Sequence, residues 1–347
     1  MIQIAKWTLP AAALLAAAGA VAGPLDKLDI RLSLPQPVVQ GDASVAVDVT
    51  VTNVAGHAVK VLKWQLPEDA LHAPLFRVTA EDGREARYVG PLVKRAAPTE
   101  ADYLRLPAGA TRSYRVDLSR LYQLGNGRHT VQFLGQEGRG AGEASYKASP
   151  AVMLWTSGRD HATALAAEAA AAEGTEASIS FSGGCTASEQ TTLTNAVDAA
   201  IVYSTESKAY MNGTPSGTRR YVEWFGKFKQ TRWNTVETHF NKIDEAFKTK
   251  PLTLDCSCNS GAYAYVYANQ PYKIYLCNAF WSAPMTGTDS KAGTLIHEMS
   301  HFTVVAGTDD HAYGQVAARN LAKNNPKQAV DNADNHEYFA ENTPALP

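Results

Sequence analysis

The chain has 347 residues, of which 45% are hydrophobic and 19% charged, enough to build two compact domains, each with its own core. Thirty-four acidic side chains against 32 basic ones leave a formal net charge of -2. This balance excludes the broad basic surface that nucleic-acid binding requires, so no nucleic acid is expected among the partners.

The chain opens with Lys6, a mostly apolar run from Leu9 to Val21, and Ala20-Val21-Ala22 ahead of Gly23-Pro24. This is the pattern of a secretory signal peptide over residues 1–22, with a small-residue cleavage site. The run is short of the ~20 apolar residues that a membrane span needs. No later stretch is long and apolar enough either, so the expected destination is extracellular, without a membrane span. The four cysteines, Cys185, Cys256, Cys258 and Cys277, all lie in the C-terminal half. In a secreted chain an even count favours disulfides, and Cys-x-Cys is not the usual Cys-x-x-Cys spacing of zinc sites.

Residues 23–157 read as short strands of period two: Leu28, Ile30, Leu32 and Leu34, then Val45, Val47, Val49 and Val51, later Tyr114-Arg115-Val116 and Val131-Gln132-Phe133. Turn residues such as Gly41-Asp42 and Gly125-Asn126-Gly127 separate them. The expectation is an all-β antiparallel sandwich of the kind the immunoglobulin fold exemplifies, without cysteine and without an evident catalytic cluster. Residues 158–178 are rich in Ala, Glu, Gly and Thr and read as a linker.

From 179 to 347 the period becomes helical. Thr186 with Glu189 forms a capping box before Leu193, Val197, Ala200 and Ile201, and a second helix carries Trp233, Val236, Phe240, Ile243 and Phe247. A hairpin is predicted from Tyr263-Ala264-Tyr265-Val266-Tyr267 through Asn269-Gln270-Pro271 to Ile274-Tyr275-Leu276. Further helical patterns cover Ser290 to Val305, Gly314 to Lys323 and Pro326 to Phe339. The second domain is therefore expected to be a mainly α, zincin-like α+β domain with a small sheet.

His297-Glu298-Met299-Ser300-His301 matches HExxH on one of these helices, with Asp289 or Ser290 as its N-cap. Positions four apart share a face, so both imidazoles can reach one Zn²⁺ while Glu298 stands beside the water that such a metal would hold. Gly307 is suited to a left-handed C-cap that ends the helix, and a turn beyond it can return a carboxylate to the metal. The chain continues Gly307-Thr308-Asp309-Asp310-His311-Ala312-Tyr313-Gly314.

HExxH followed by Gly-Thr-x-Asp-x-x-Tyr-Gly resembles the aspzincin metallopeptidases, the deuterolysin and peptidyl-Lys endopeptidase group. The resemblance implies His297, His301 and Asp310 as ligands of one Zn²⁺ per chain; Asp309 and His311 are the competitors for the metal and are read as neighbours. It also implies Glu298 as the general base and acid of peptide hydrolysis, and Tyr313 as a donor to the oxyanion. It runs from about Gly183 to the C-terminus and is closest to the peptidyl-Lys branch, through Tyr221–Gly226, Tyr263–Tyr267, Cys277–Trp281 and Asn332–Phe339.

In Lys-specific members an Asp and a Glu three residues apart receive the ammonium of the residue after the scissile bond; these map to Asp334 and Glu337. Neighbours on a helix face, they suit a compact ammonium. The resemblance therefore implies a secreted zinc endopeptidase that cuts on the amino side of lysine, acting on proteins or peptides with accessible Lys. It also implies the pairings Cys185–Cys256 and Cys258–Cys277. The sandwich lies outside it and is read as a propeptide that inhibits the enzyme until removed, with a permanent accessory domain as the rival. A broad deuterolysin-like protease, or a secreted binding or adhesion protein on the same fold, are the alternatives for the whole chain.

Overall fold

The computed structural model describes residues 27–68, 73–136, 143–159 and 177–347. The predicted signal peptide and most of the predicted linker lie outside these residues.

Among the described residues the N-terminal half has ten strands: β1 (Leu28–Ser33), β2 (Val38–Gln40), β3 (Ala46–Asn53), β4 (Val59–Leu62), β5 (Phe76–Ala80), β6 (Pro91–Lys94), β7 (Tyr103–Leu106), β8 (Thr111–Asp117), β9 (Gly127–Phe133) and β10 (Val152–Ser157). One sheet has the order β1-β3-β8, a second β2-β10-β9-β5, and β4 pairs with β7 as a two-stranded ribbon. The inward valines of the period-two runs, Val47, Val49 and Val51, are fully buried, as is Val45 just before β3. They share one core with Val78, Val131, Phe133 and Leu154 of the second sheet. Each such side chain stabilises the fold by roughly 1.5–3 kcal/mol. One pairing departs from the antiparallel expectation: β2 runs parallel to β10.

The C-terminal half contains β11 (Ser178–Ser182), α1 (Ala187–Met211), α2 (Arg219–Phe225), α3 (Gln230–Thr249), β12 (Pro251–Asp255), β13 (Ala264–Tyr267), β14 (Lys273–Leu276), α4 (Asn278–Ser282), α5 (Lys291–His301), α6 (Gln315–Asn324), α7 (Pro326–Val330) and α8 (Ala333–Glu341). Both halves of the Thr186–Glu189 capping box form at the start of α1. The predicted hairpin is β13–β14, in the register Ala264↔Leu276 and Tyr265↔Tyr275. Disulfides join Cys185 to Cys256 and Cys258 to Cys277.

Two helical expectations change. The helix after Ser290 ends at His301 instead of reaching Val305: residues 302–307 fold into a turn in which the Val305 and Gly307 amides both donate to Phe302 O. Gly307 does take a positive φ of 63°, but beyond the helix. The pattern from Pro326 to Phe339 is two helices, because Asn332 at the break turns its side chain to the preceding loop. Its Oδ1 accepts from the His311 and Ala312 amides, and its Nδ2 donates to Ala312 O.

The two halves are joined through a sheet. Its order is β11-β12-β14-β13-β6, so a strand from the N-terminal half completes the C-terminal sheet. β6 runs antiparallel to β13 in the register Pro91↔Tyr267, Leu92↔Val266, Val93↔Tyr265 and Lys94↔Ala264. Leu92, 4% exposed, packs into the C-terminal core.

Candidate active site

Helix α5 carries the HExxH residues, and its start is strongly held. The Ser290 hydroxyl caps it by accepting from the Gly293 amide at 2.9 Å, while Glu341 Oε1 accepts from both the amide and the hydroxyl of Ser290 at 2.8 Å. Gly293 is required there, since a Cβ would lie 2.1 Å from Glu341 Oε1. Every residue of α5 is buried.

The loop after α5 brings Asp310 back. Thr308 O accepts from His301 Nδ1 at 2.7 Å, Asp309 N donates to Asp331 O at 2.8 Å, and Gly314 N donates to Asp334 Oδ2 at 2.6 Å. Loop 308–314 is thereby fastened to the start of α8. Gly314 holds a φ of 85°, and a side chain there would also meet Ala97 of the N-terminal half.

His297 Nε2 lies 3.1 Å and His301 Nε2 3.5 Å from Asp310 Oδ1. These three buried atoms have no hydrogen-bond partner among the described residues. Two imidazole nitrogens and a carboxylate oxygen converging without partners form a donor set that fits a divalent metal such as zinc. The contact between His301 Nδ1 and Thr308 O directs its Nε2 lone pair to this point, and His297 Nδ1 lies 2.9 Å from Asp334 Oδ1, the usual outer support of a metal-binding histidine. Against the penalty of burial, His301 and His297 hold the Asp310 carboxylate well below the ordinary range. Burial lowers His301 to about 4, favouring the neutral imidazole that a metal needs.

Glu298 is fully buried beside this cluster, and burial pushes its carboxyl up to about 8. Tyr313 lies with its phenol against Asp310, and burial together with that carboxylate raises its pKa well above the ordinary value. Its ring meets Trp64 of the N-terminal half edge to face, with centroids 6.0 Å apart. Asp309 and His311 point elsewhere: His311 Nε2 pairs with Asp331 Oδ2 at 2.9 Å.

Asp334 and Glu337 share one face of α8, as the spacing predicts, and both are fully buried. Between them sits the ammonium of Lys94, 3.1 Å from Asp334 Oδ1, 2.6 Å from Glu337 Oε2 and 3.2 Å from Asp289 Oδ1. Burial alone would neutralise this lysine, but Asp334 and Glu337 hold its pKa well above the ordinary value. The Lys94 amide donates to Glu298 Oε1 at 3.2 Å, the Val93 amide to Asp310 Oδ2 at 3.0 Å, and Lys94 O accepts from the Tyr263 amide at 3.0 Å. The Val93–Lys94 peptide thus lies along β13, with a lysine just beyond the catalytic-type glutamate.

Sequence reasoning had named His297, Glu298, His301, Asp310, Tyr313, Asp334 and Glu337, and the structure gathers all seven. It had missed Lys94, Asp289 and Glu341. No local pattern marks Lys94, whereas Glu341 continues the i, i+3, i+7 spacing of Asp334 and Glu337 and was legible as part of that face.

A helix bearing HExxH, a carboxylate returned by the following loop, and a sheet edge that takes up an extended chain define a metallopeptidase. The chain belongs to the aspzincin family: the family model described as lysine-specific metallo-endopeptidase matches residues 210–341. It is 47% identical to an extracellular protease of Aeromonas hydrophila over 94% of this chain and 96% of that protein. It is 36% identical to a peptidyl-Lys metalloendopeptidase of Grifola frondosa over 92% of this chain and 93% of that protein. Among solved structures, a zinc peptidase from Grifola frondosa matches 47% of this chain and 100% of its own, at 49% identity and a TM-score of 0.46. The chain is a zinc metalloendopeptidase, and no helix among its described residues is long and apolar enough to cross a membrane.

Proposed function

We propose that the protein is a secreted endopeptidase that cuts on the amino side of lysine, with one zinc ion held by His297, His301 and Asp310. The observation that carries the lysine reading is the seating of Lys94. Its ammonium, which stands in for that of a substrate lysine, lies between Asp334 and Glu337 while its amide nitrogen faces Glu298. In a broad-specificity enzyme the two carboxylates would serve only His297 and the Gly314 amide, with no cation to receive between them.

When bound, zinc would supply a Lewis acid that polarises the scissile carbonyl and makes water easier to deprotonate. Glu298 takes the proton from the attacking water. The same carboxylate, already within 3.2 Å of an amide nitrogen at the lysine position, delivers that proton to the leaving amine. Tyr313, beside Asp310, donates its phenol proton in a hydrogen bond to the oxygen that gains charge. β13 aligns the substrate by strand addition, and the acidic pocket fixes the register.

The N-terminal unit, which we read as an immunoglobulin-like sandwich, acts as an inhibitor in cis. What supports this is that β6 fills the substrate strand and Lys94 the ammonium pocket. The removal of this unit then frees the site.

Mapping cuts in an unfolded protein by the secreted product, with and without chelator, tests the reading. Chelator-sensitive cuts enriched for lysine on the carboxyl side of the broken bond are expected. Cuts without lysine enrichment would refute the specificity.

A further inference from the structure

We propose that Asp289 is a third specificity-determining carboxylate, which completes with Asp334 and Glu337 a cradle of three acceptors for the substrate lysine ammonium. The inference rests on the lysine reading above and adds a residue from outside the helix that supplies the other two.

An ammonium carries three N–H donors and no acceptor. Around Lys94 Nζ stand three carboxylate oxygens, at 2.6, 3.1 and 3.2 Å. Two come from α8 and the third from the turn ahead of α5, so the cradle closes from two directions. The rings of Tyr338 and Tyr263 complete its walls, 5.1 and 5.7 Å from the nitrogen.

Asp289 is built into this position. It is a non-glycine residue at φ 51°, a backbone state that L residues other than Asn and Asp seldom adopt. Its amide donates to Glu341 Oε2 at 3.2 Å, and Tyr338 OH donates to its Oδ1 at 2.6 Å. The side chain is therefore aimed at the ammonium by two fixed neighbours.

The division of labour also differs among the three acids. Asp334 Oδ1 and Glu337 Oε2 lie 2.9 and 3.3 Å from His297 Nδ1, so each serves an imidazole as well as the ammonium. No ion pair joins Asp289 to His297, His301 or Asp310 among the described residues. Its side chain, 33% exposed, stands at the mouth of the pocket. Asp289 can therefore be altered without disturbing the donor set for the metal. Three carboxylate charges converging on a point match the compact charge of an ammonium, whereas a planar guanidinium spreads its charge and its donors over a fork. Asp289 thus selects lysine over arginine.

Asp289→Asn tests this, because Asn tolerates the left-handed backbone and keeps an acceptor for Tyr338 while removing the charge. In the full chain, hydrogen exchange of the Lys94 and Tyr263 amides is compared in wild type, Asp289→Asn, Lys94→Met and the double variant. Exchange should quicken about fivefold or more in Asp289→Asn, and the effect should vanish when Lys94 is already Met. In the zinc-loaded secreted enzyme, matched peptides with Lys or Arg after the scissile bond should show KM for the Lys peptide raised about 5–30-fold. kcat and zinc content should change little, and the Lys:Arg preference should fall in proportion.

Equal exchange effects with and without the Lys94 ammonium, or an unchanged Lys:Arg ratio in an enzyme that prefers lysine, would overturn the inference alone. A wild-type enzyme with no preference for lysine would overturn the lysine reading and the inference with it.

Discussion

Truncating Lys94 should switch on the uncut chain. In Lys94→Ala the ammonium that pairs with Asp334 and Glu337 disappears, while the β6–β13 ladder and the buried Leu92 remain. Removing one partner of a buried ion pair costs about 3–5 kcal/mol. The acids left behind can take up protons or water through the mouth at Asp289, so the lower end applies, a shift of about 10²-fold in the closed-to-open equilibrium. A tethered inhibitor works at an effective concentration of about millimolar, so the wild type should be nearly silent before the shift. The assay is hydrolysis of a quenched peptide with Lys after the scissile bond, by chains shown by mass spectrometry to be intact. About 10²-fold more activity is expected from intact Lys94→Ala than from intact wild type. An intact Lys94→Ala chain that binds zinc, is folded and stays as silent as the wild type would refute the reasoning. So would an intact wild type as active as its processed form.

Glu298→Gln should keep zinc and lower kcat by about 10²–10⁴-fold, since it removes the proton carrier and leaves the donor set; metal analysis beside kinetics checks this. Gly293→Ala, which in an open helix would stabilise by about 1 kcal/mol, should instead destabilise by roughly 1–3 kcal/mol in chemical unfolding, because the new Cβ falls 2.1 Å from Glu341 Oε1. Acid should weaken the fold through His336 and His239. His336 Nδ1 lies 3.0 Å from Asn332 O, and its Nε2 lies 2.9 Å from His239 Nδ1, among Phe225 and Phe240. Burial lowers these two to about 4 and about 3 from the ordinary 6.5. At these two sites the unfolded chain therefore binds more protons below pH 6.5, so their contribution to stability is level above that pH and falls as pH drops towards 4. Denaturation midpoints from pH 7 to 4 should show this slope, and His239→Gln should flatten it.

Much of the catalytic half was legible because its signals are local. The HExxH pair, the Thr186–Glu189 cap, the β13–β14 hairpin and the acidic spacing of α8 depend on side chains within a few residues of one another. Helix ends were less legible. The apolar pattern runs on through Val305, yet α5 stops at His301 because the next turn folds back to present Thr308 to that histidine. Likewise Asn332 breaks the last helical run to satisfy amides about 20 residues earlier, a demand that periodicity does not register.

By itself the sequence determined which side chains to expect together around the HExxH helix, which acids share a helix face, and that a strand-rich unit precedes them. Only the tertiary structure decided that β6 leaves that unit to complete the catalytic sheet. It alone placed Lys94 against acids up to 243 positions away and brought Asp289 and Glu341 to the same pocket. The physical reason is that helix and strand periods record which face is buried, whereas an ion pair across domains records only where two distant backbones meet. The charge of Lys94 is the same in any surface loop, and its task appears only when the chain closes around it.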